Sequence, residues 1–248
     1  MKNWPYPFWI AHRGAGKLAP ENTLAAFRLG AEHGFKMFEC DAKLSADGVV
    51  FLLHDATLER TTNGQGMGAD LPWARLSQLD AGSWHGQAYA SEPLATLEGL
   101  SRFCLANGHG LNIEIKPTPG TDSATGEAVA RLAERLWQGA GLPPLLTSFK
   151  PQALAAAQAT APNLPRGLLV DTLWTGWLEM AQELGCVAVV ANHVLWDAHV
   201  VTRVHEAGLK CLSYTVNDPL RAKRLIDLGT DGIITDAVDV LGAHAVAP

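Results

Sequence analysis

Short apolar runs alternate with helical patterns along almost the whole chain, and this alternation restricts the fold more than any other feature. Setting aside one run at about 49–54, eight strand candidates lie at about 8–11, 36–41, 111–116, 144–148, 167–170, 187–191, 210–216 and 232–235. Most are separated by a helical stretch. Val129, Leu132, Ala133, Leu136 and Trp137, for example, follow the i, i+3, i+4, i+7, i+8 spacing of one buried stripe. Such alternation implies a parallel sheet, whose strands need crossover connections. Eight units suggest a closed (β/α)8 barrel, and 248 residues is an ordinary length for one. An open, doubly wound sheet is the runner-up, but no dinucleotide-type glycine fingerprint follows the first strand.

The helix boundaries are marked by local chemistry. A first helix at about Asn22 to His33 stops at Gly34. Asp218 caps the last helix, Pro219 opens it and Gly229 ends it. A helix is expected at about Leu173 to Leu184, and the tail beyond Ala237 reads as marginal. Residues 55–95 break the pattern and read as an irregular insertion with one helical turn near Leu76, inside a single domain spanning 1–248.

Two carboxylates, Glu39 and Asp41, stand two residues apart on one strand and share a face. The next run, VVFLLHD, follows too soon for a parallel crossover, and Asp47-Gly48 is a favoured two-residue hairpin turn. With that turn Ala46 pairs Val49 and Asp41 pairs His54, which puts His54 on the carboxylate face. A one-residue shift would turn it away. In LNIEIKP, Asn112, Glu114 and Lys116 again share a face.

Barrel enzymes carry their catalytic residues at the C-terminal ends of the strands. His12, Arg13, Glu39, Asp41, Glu114 and Lys116 all fall at such ends. Three converging carboxylates read as a site for one hard divalent cation, Mg²⁺ or Ca²⁺. Zinc is disfavoured because no Cys/His cluster has zinc spacing. The competing reading is a metal-free cluster neutralised by Arg13, Lys43 and Lys116. Two histidines, His12 and His54, would supply the acid and the base that a phosphodiester needs near neutral pH. A glycosidase-like use of Glu39 and Glu114 would need neither the second histidine nor Arg13. His33, His199, His205 and His244 read as surface residues, His193 as a weak candidate, and Trp84 and His85 as loop packing.

A net charge of −6 argues against a general nucleic-acid or membrane-surface binder. Cys40, Cys104, Cys186 and Cys211 are scattered and read as reduced, mostly buried thiols. Pro5 and Pro7 break the first apolar run, so no signal peptide or stable membrane insertion is expected, and the cytoplasm is the default. A homo-oligomer is left open.

Taken together, His12-Arg13-Gly14, Pro20 to Thr23, Glu39-Cys40-Asp41, His54-Asp55, Glu114-Ile115-Lys116, Ser148-Phe149, Tyr214 to Asn217 and Asp231 to Asp236 resemble the glycerophosphodiester phosphodiesterase family over nearly the whole chain. The resemblance implies a barrel with an inserted subdomain and a divalent metal on Glu39, Asp41 and Glu114. It implies His12 and His54 as the acid–base pair, Arg13 and Lys116 near the phosphate, and Phe149 near the glycerol. Tyr214 stands where the family usually has Trp, which keeps an aromatic wall and adds a hydroxyl. The expected reaction is hydrolysis of a small glycerophosphodiester to glycerol 3-phosphate and an alcohol. A lysophospholipase D-type reaction on the same barrel and a non-catalytic ligand-binding barrel are the alternatives.

Overall fold

The computed structural model describes residues 4–242. Its elements follow in the order β1 (Trp9–Ala11), α1 (Leu24–Glu32), β2 (Met37–Leu44), β3 (Val50–Leu52), α2 (Trp73–Leu76), α3 (Leu97–Asn107), β4 (Gly110–Ile115), α4 (Asp122–Leu136) and β5 (Leu145–Ser148). Then come α5 (Pro151–Thr160), β6 (Arg166–Val170), α6 (Trp177–Glu183), β7 (Ala188–Asn192), α7 (Ala198–Glu206), β8 (Lys210–Tyr214), α8 (Pro219–Asp227) and β9 (Gly232–Thr235). Eight parallel strands close into a barrel. β1 pairs β9 through Trp9, Ile10 and Ala11, and meets β2 where Ala11 faces Phe38. The helices surround this ring, so the fold is a (β/α)8 barrel.

Period-two alternation along each strand sorts the side chains. On β2, Phe38, Cys40 and Ala42 pack outward under the helices, in the layer that holds Phe27, Ile113 and Ile115. Met37 points inward, with Ile10, Leu145, Val190, Leu212 and Ile234 filling the barrel floor. Glu39 and Asp41 continue that inward face toward the C-terminal mouth. All four cysteines are free and buried.

Helix starts follow the expected capping. Thr23, Thr96, Asp197 and Asp218 each accept a hydrogen bond from a first-turn amide. α6 is shorter than the sequence pattern suggests. Gly176, at φ +90°, sits just before Trp177 in a left-handed conformation that helix cannot continue through. Residues 238–242 are better anchored than their sequence suggests, because Val238 and Leu241 are buried in the outer core. His244 lies outside the described residues. Among the described residues, no helix is long and apolar enough to cross a membrane.

β3 is antiparallel to the end of β2 and lies outside the ring. Its register corrects the hairpin drawn from sequence by one residue. Ala42 pairs Leu52, Lys43 pairs Phe51 and Leu44 pairs Val50. The cause is the turn, which holds three residues instead of two. The Ser45 amide donates to the Val49 carbonyl, and the Gly48 amide to the Ser45 carbonyl. Gly48 takes φ +81°, as a three-residue loop with a left-handed third position requires. Ser45 Oγ fixes the turn further, donating to Asp47 and accepting from the Val49 amide. An extended ladder would turn His54 away from the carboxylates. The ladder instead stops at Leu52, and His54 lines the mouth from the irregular chain beyond it.

Between β3 and α3 the chain builds a small apolar cluster of its own, from Phe51, Leu53, Leu58, Leu76, Ala81 and Leu94. α2 is the single helical turn expected near Leu76. The segment docks on the loop after β1. Glu92 accepts from the Ala25 amide, and His85 Nε2 lies 3.0 Å from the Lys17 carbonyl, so His85 packs the loop as its sequence context suggested.

Candidate active site

β2, with Glu39 and Asp41, and β4, with Glu114, bring the three carboxylates together. Glu39, Asp41 and Glu114 each offer an oxygen within 4.8 Å of the others. Asp41 is wholly buried, and Glu39 and Glu114 nearly so. The chain ahead of α1 is bent to serve them. Arg13 and Asn22 both adopt positive φ, +51° and +61°, a costly state for non-glycine residues. The Asn22 amide donates to the Arg13 carbonyl, closing this loop. The strain delivers two contacts. The Arg13 amide donates to Glu39 at 3.0 Å. The Asn22 side chain clasps Asp41, donating from Nδ2 at 2.8 Å while its Oδ1 accepts from the Asp41 amide.

Two cations face the carboxylates. Arg13 Nε stands 3.2 Å from Asp41, off the direction of a good hydrogen bond. Lys116 Nζ donates to Glu114 at 2.7 Å and lies 3.3 Å from Asp41. Burial would raise the Asp41 pKa, but Arg13 and Lys116 hold it below the usual carboxylate range. Burial, with Asp41 adding to it, pushes Glu114 up to about 7. Glu39 is driven well above its ordinary value by burial and then by Asp41 and Glu114. Lys43, behind them, is lowered to about 8 by burial.

These are the signs of a site short of positive charge. Glu39 Oε1 is buried without a hydrogen-bond partner, and Asp41 Oδ1 meets only the Lys116 ammonium at 3.3 Å, outside hydrogen-bond geometry, a costly condition unless a further cation meets them. Three carboxylates whose oxygens converge within 4.8 Å are the donor set that a hard divalent cation takes. The residues present therefore fit such an ion.

The two histidines stand on either side. His12 Nδ1 lies 2.6 Å from Asp236 Oδ1, and its Nε2 is 3.8 Å from Glu39. Asp236 is held in turn by Asn217, whose Nδ2 donates to it and whose Oδ1 accepts from its amide. His54 Nδ1 pairs with Asp55 at 2.8 Å. Arg60 ties Asp55 to Glu21, which also accepts from Arg13. Burial lowers the His54 pKa, with Arg13 and Lys116 adding to the effect and Asp41 opposing it.

One cavity of about 190 Å³ joins them, lined by His12, Arg13, Glu39, His54, Glu114 and Lys116. Its far wall is apolar. Phe149 and Tyr214 meet edge to face with ring centres 5.8 Å apart, and the Tyr214 hydroxyl donates to the Val170 carbonyl. The structure thus gathers all nine residues singled out in the sequence, although Asp41 lies behind the cavity wall. A wider groove of about 620 Å³, between the hairpin tip and α4, contains none of them. His193, His199 and His205 lie elsewhere, and His205 pairs with Asp231. Asp236, Asn22, Glu21 and Arg60 went unassigned in the sequence. Glu21, Asn22 and Asp236 belong to the motifs Pro20 to Thr23 and Asp231 to Asp236, but those motifs do not reveal their partners elsewhere in the chain.

Fold and mouth together define a barrel of the hydrolase type, with two cations and two imidazoles lining one mouth. Comparison with known proteins narrows the class. The sequence pattern of the Glycerophosphoryl diester phosphodiesterase family matches residues 12–240. A glycerophosphodiester phosphodiesterase of Caldanaerobacter subterraneus is 32% identical over 238 residues, covering 94% of this chain and 95% of that one. The structure of an Oleispira antarctica phosphodiesterase in complex with the product sn-glycerol-3-phosphate superposes with a TM-score of 0.89. It is 38% identical, with 94% of each chain covered. A glycerophosphodiester phosphodiesterase from Agrobacterium tumefaciens gives 0.79 at 26% identity, over 94% of this chain and 97% of that one. The chain belongs to the glycerophosphoryl diester phosphodiesterase family.

Proposed function

We propose that the protein hydrolyses glycerophosphodiesters to glycerol 3-phosphate and an alcohol, using one divalent cation, Mg²⁺ or Ca²⁺, held by Glu39, Asp41 and Glu114. The observation that carries this reading is the convergence of two carboxylate-paired histidines and two cations on one cavity beside three buried carboxylates whose oxygens lie within 4.8 Å of one another. The glycerol 3-phosphate bound to the Oleispira relative supports it.

The residues divide the work. Arg13 and Lys116 meet the phosphoryl oxygens and stabilise the charge that develops there. Phe149 and Tyr214 bound the glycerol. Asp236 accepts a hydrogen bond from His12 Nδ1, so Nε2 is the free base and takes the proton from the nucleophile. The favoured nucleophile is the glycerol hydroxyl next to the phosphorylated carbon, which would give a cyclic phosphate that water then opens. His54 gives its proton to the departing alcohol. The cation, when bound, supplies Lewis-acid stabilisation of phosphoryl charge and increases the acidity of the attacking hydroxyl. We place residues 55–95 as a subdomain of a single 1–248 domain that supports His54, and assign the protein to the cytoplasm with no nucleic-acid partner.

The test is a product-release assay with glycerophosphoglycerol, glycerophosphocholine and a lysophospholipid, with and without Mg²⁺ or Ca²⁺. Metal-stimulated release of glycerol 3-phosphate supports the proposal. Release from the lysophospholipid alone would replace it with a lysophospholipase D reaction.

A further inference from the structure

A second cavity, of about 260 Å³, adjoins the first. His54, Glu114, Lys116 and Phe149 line both, and the second adds Lys43 and Lys150. Its charge is lopsided. Three lysines line it against one carboxylate, Glu114, which Lys116 already holds at 2.7 Å. Lys43 is only 2% exposed, and its ammonium has one hydrogen-bond partner among the described residues, the Lys116 carbonyl at 3.0 Å. An ammonium has three donors, so two are left unspent at a buried position. A buried cation in that state is short of acceptors.

The position of this cavity suits the alcohol half of a diester. In the reaction proposed above, Arg13 and Lys116 hold the phosphoryl group in the first cavity, and the Phe149–Tyr214 wall bounds the glycerol. His54 lines both spaces, so the bond from phosphorus to the departing oxygen runs past His54 toward the second. We propose that the Lys43–Lys150 cavity is the leaving-alcohol subsite, and that it selects alcohols bearing a negative charge over cationic ones. This rests on the phosphodiester reaction proposed above.

A quaternary ammonium would need an aromatic face. The Lys116 ammonium already stands 5.9 Å from the centre of the Phe149 ring. Phe149 is also the one benzenoid ring lining the second cavity. The site therefore repels a cation at the point where one would stack, and offers an anion the unspent Lys43 donors. Ser148 steadies Lys150, its Oγ accepting from the Lys150 amide while donating to the Ile115 carbonyl.

The experiment compares kcat/KM for three diesters of glycerol 3-phosphate, made with 3-hydroxypropanoate, propanol and choline, on the metal-loaded enzyme. The anionic diester should exceed the cationic one by roughly tenfold or more, the scale expected for like and opposite charges at a few ångströms near a protein surface. Lys150→Glu and Lys43→Met should each reduce that ratio several-fold. Lys150 is exposed, so its replacement does not threaten folding. Cleavage of all three at similar rates, a preference for choline, or a ratio unmoved by Lys150→Glu would overturn the subsite while leaving the reaction in place. Cleavage of none would overturn the reaction, and the subsite with it.

Discussion

His12 Nδ1 and Asp236 Oδ1 are 2.6 Å apart across 224 residues of chain. The carboxylate fixes both the tautomer and the angle of the ring, as a carboxylate does for the base of a serine-protease triad. Asp236→Asn should lower kcat by roughly a hundredfold or more with a smaller change in KM. Steady-state kinetics on one diester would measure this. An Asn variant with wild-type kcat would reduce Asp236 to a structural partner.

The two cavity histidines should separate cleanly from the surface ones. His12→Ala and His54→Ala should each cut kcat by roughly a hundredfold or more. His199→Ala and His205→Ala should leave it near wild type, since neither touches the cavity. Equal activity of His54→Ala and His199→Ala would remove His54 from the chemistry.

Proton and metal should compete for the carboxylates. Glu114 is raised from 4.5 to about 7 by burial and by Asp41. A carboxyl raised in the folded state contributes stability that is fully present below its ordinary value and lost as pH rises through the folded one. The Tm of the metal-free protein should therefore fall between pH 5 and pH 7.5 through this group. Added Mg²⁺ or Ca²⁺ should raise Tm more at pH 7.5 than at pH 5. Thermal melts without substrate would read both effects, and chelation should abolish turnover. Melts indifferent to cation at every pH would count against the metal site.

Gly16 takes φ +56°, and a Cβ there would run into the Asp236 backbone. Gly16→Ala should destabilise the fold by about 2 kcal/mol and lower kcat by moving Asp236 off His12. Gly48 at φ +81° faces open space. Gly48→Ala should cost about 1 kcal/mol and spare kcat. Denaturant titration together with kinetics checks the pair. Equal kcat losses would separate the backbone contact from catalysis.

The nucleophile can be tested by deletion. A substrate whose hydroxyl next to the phosphorylated carbon is replaced by hydrogen should be cleaved far more slowly, because an oriented internal attack is worth several kcal/mol. Cleavage near the parent rate would make water the attacker.

The barrel and most of its mouth were legible because strand periodicity and strand ends are local properties. Glu39, Asp41, Glu114 and Lys116 could be placed on one face by counting in twos. What stayed hidden depended on geometry that sequence spacing does not encode. The hairpin register turned on whether Ala46 belongs to the strand or to the loop, which Ser45 Oγ decides by bonding across the turn. Asn22 was seen as a motif residue, yet its grip on Asp41 exists only because its backbone bends into a left-handed state. Asp236 and Arg60 act across the barrel seam and the insertion, where no periodicity points.

The same seam carries a kinetic consequence. The chain just past β1 holds His12 and the chain just past β9 holds Asp236, and these strands pair to shut the ring. A folding intermediate with its helices formed and its last strand undocked would have a mobile imidazole and no turnover. During refolding, recovery of activity should lag the helical signal and coincide with the arrival of β9, because the most distant contact forms against the largest loop-closure cost. Turnover is in this sense a clock for ring closure, started by the first strand and stopped by the last.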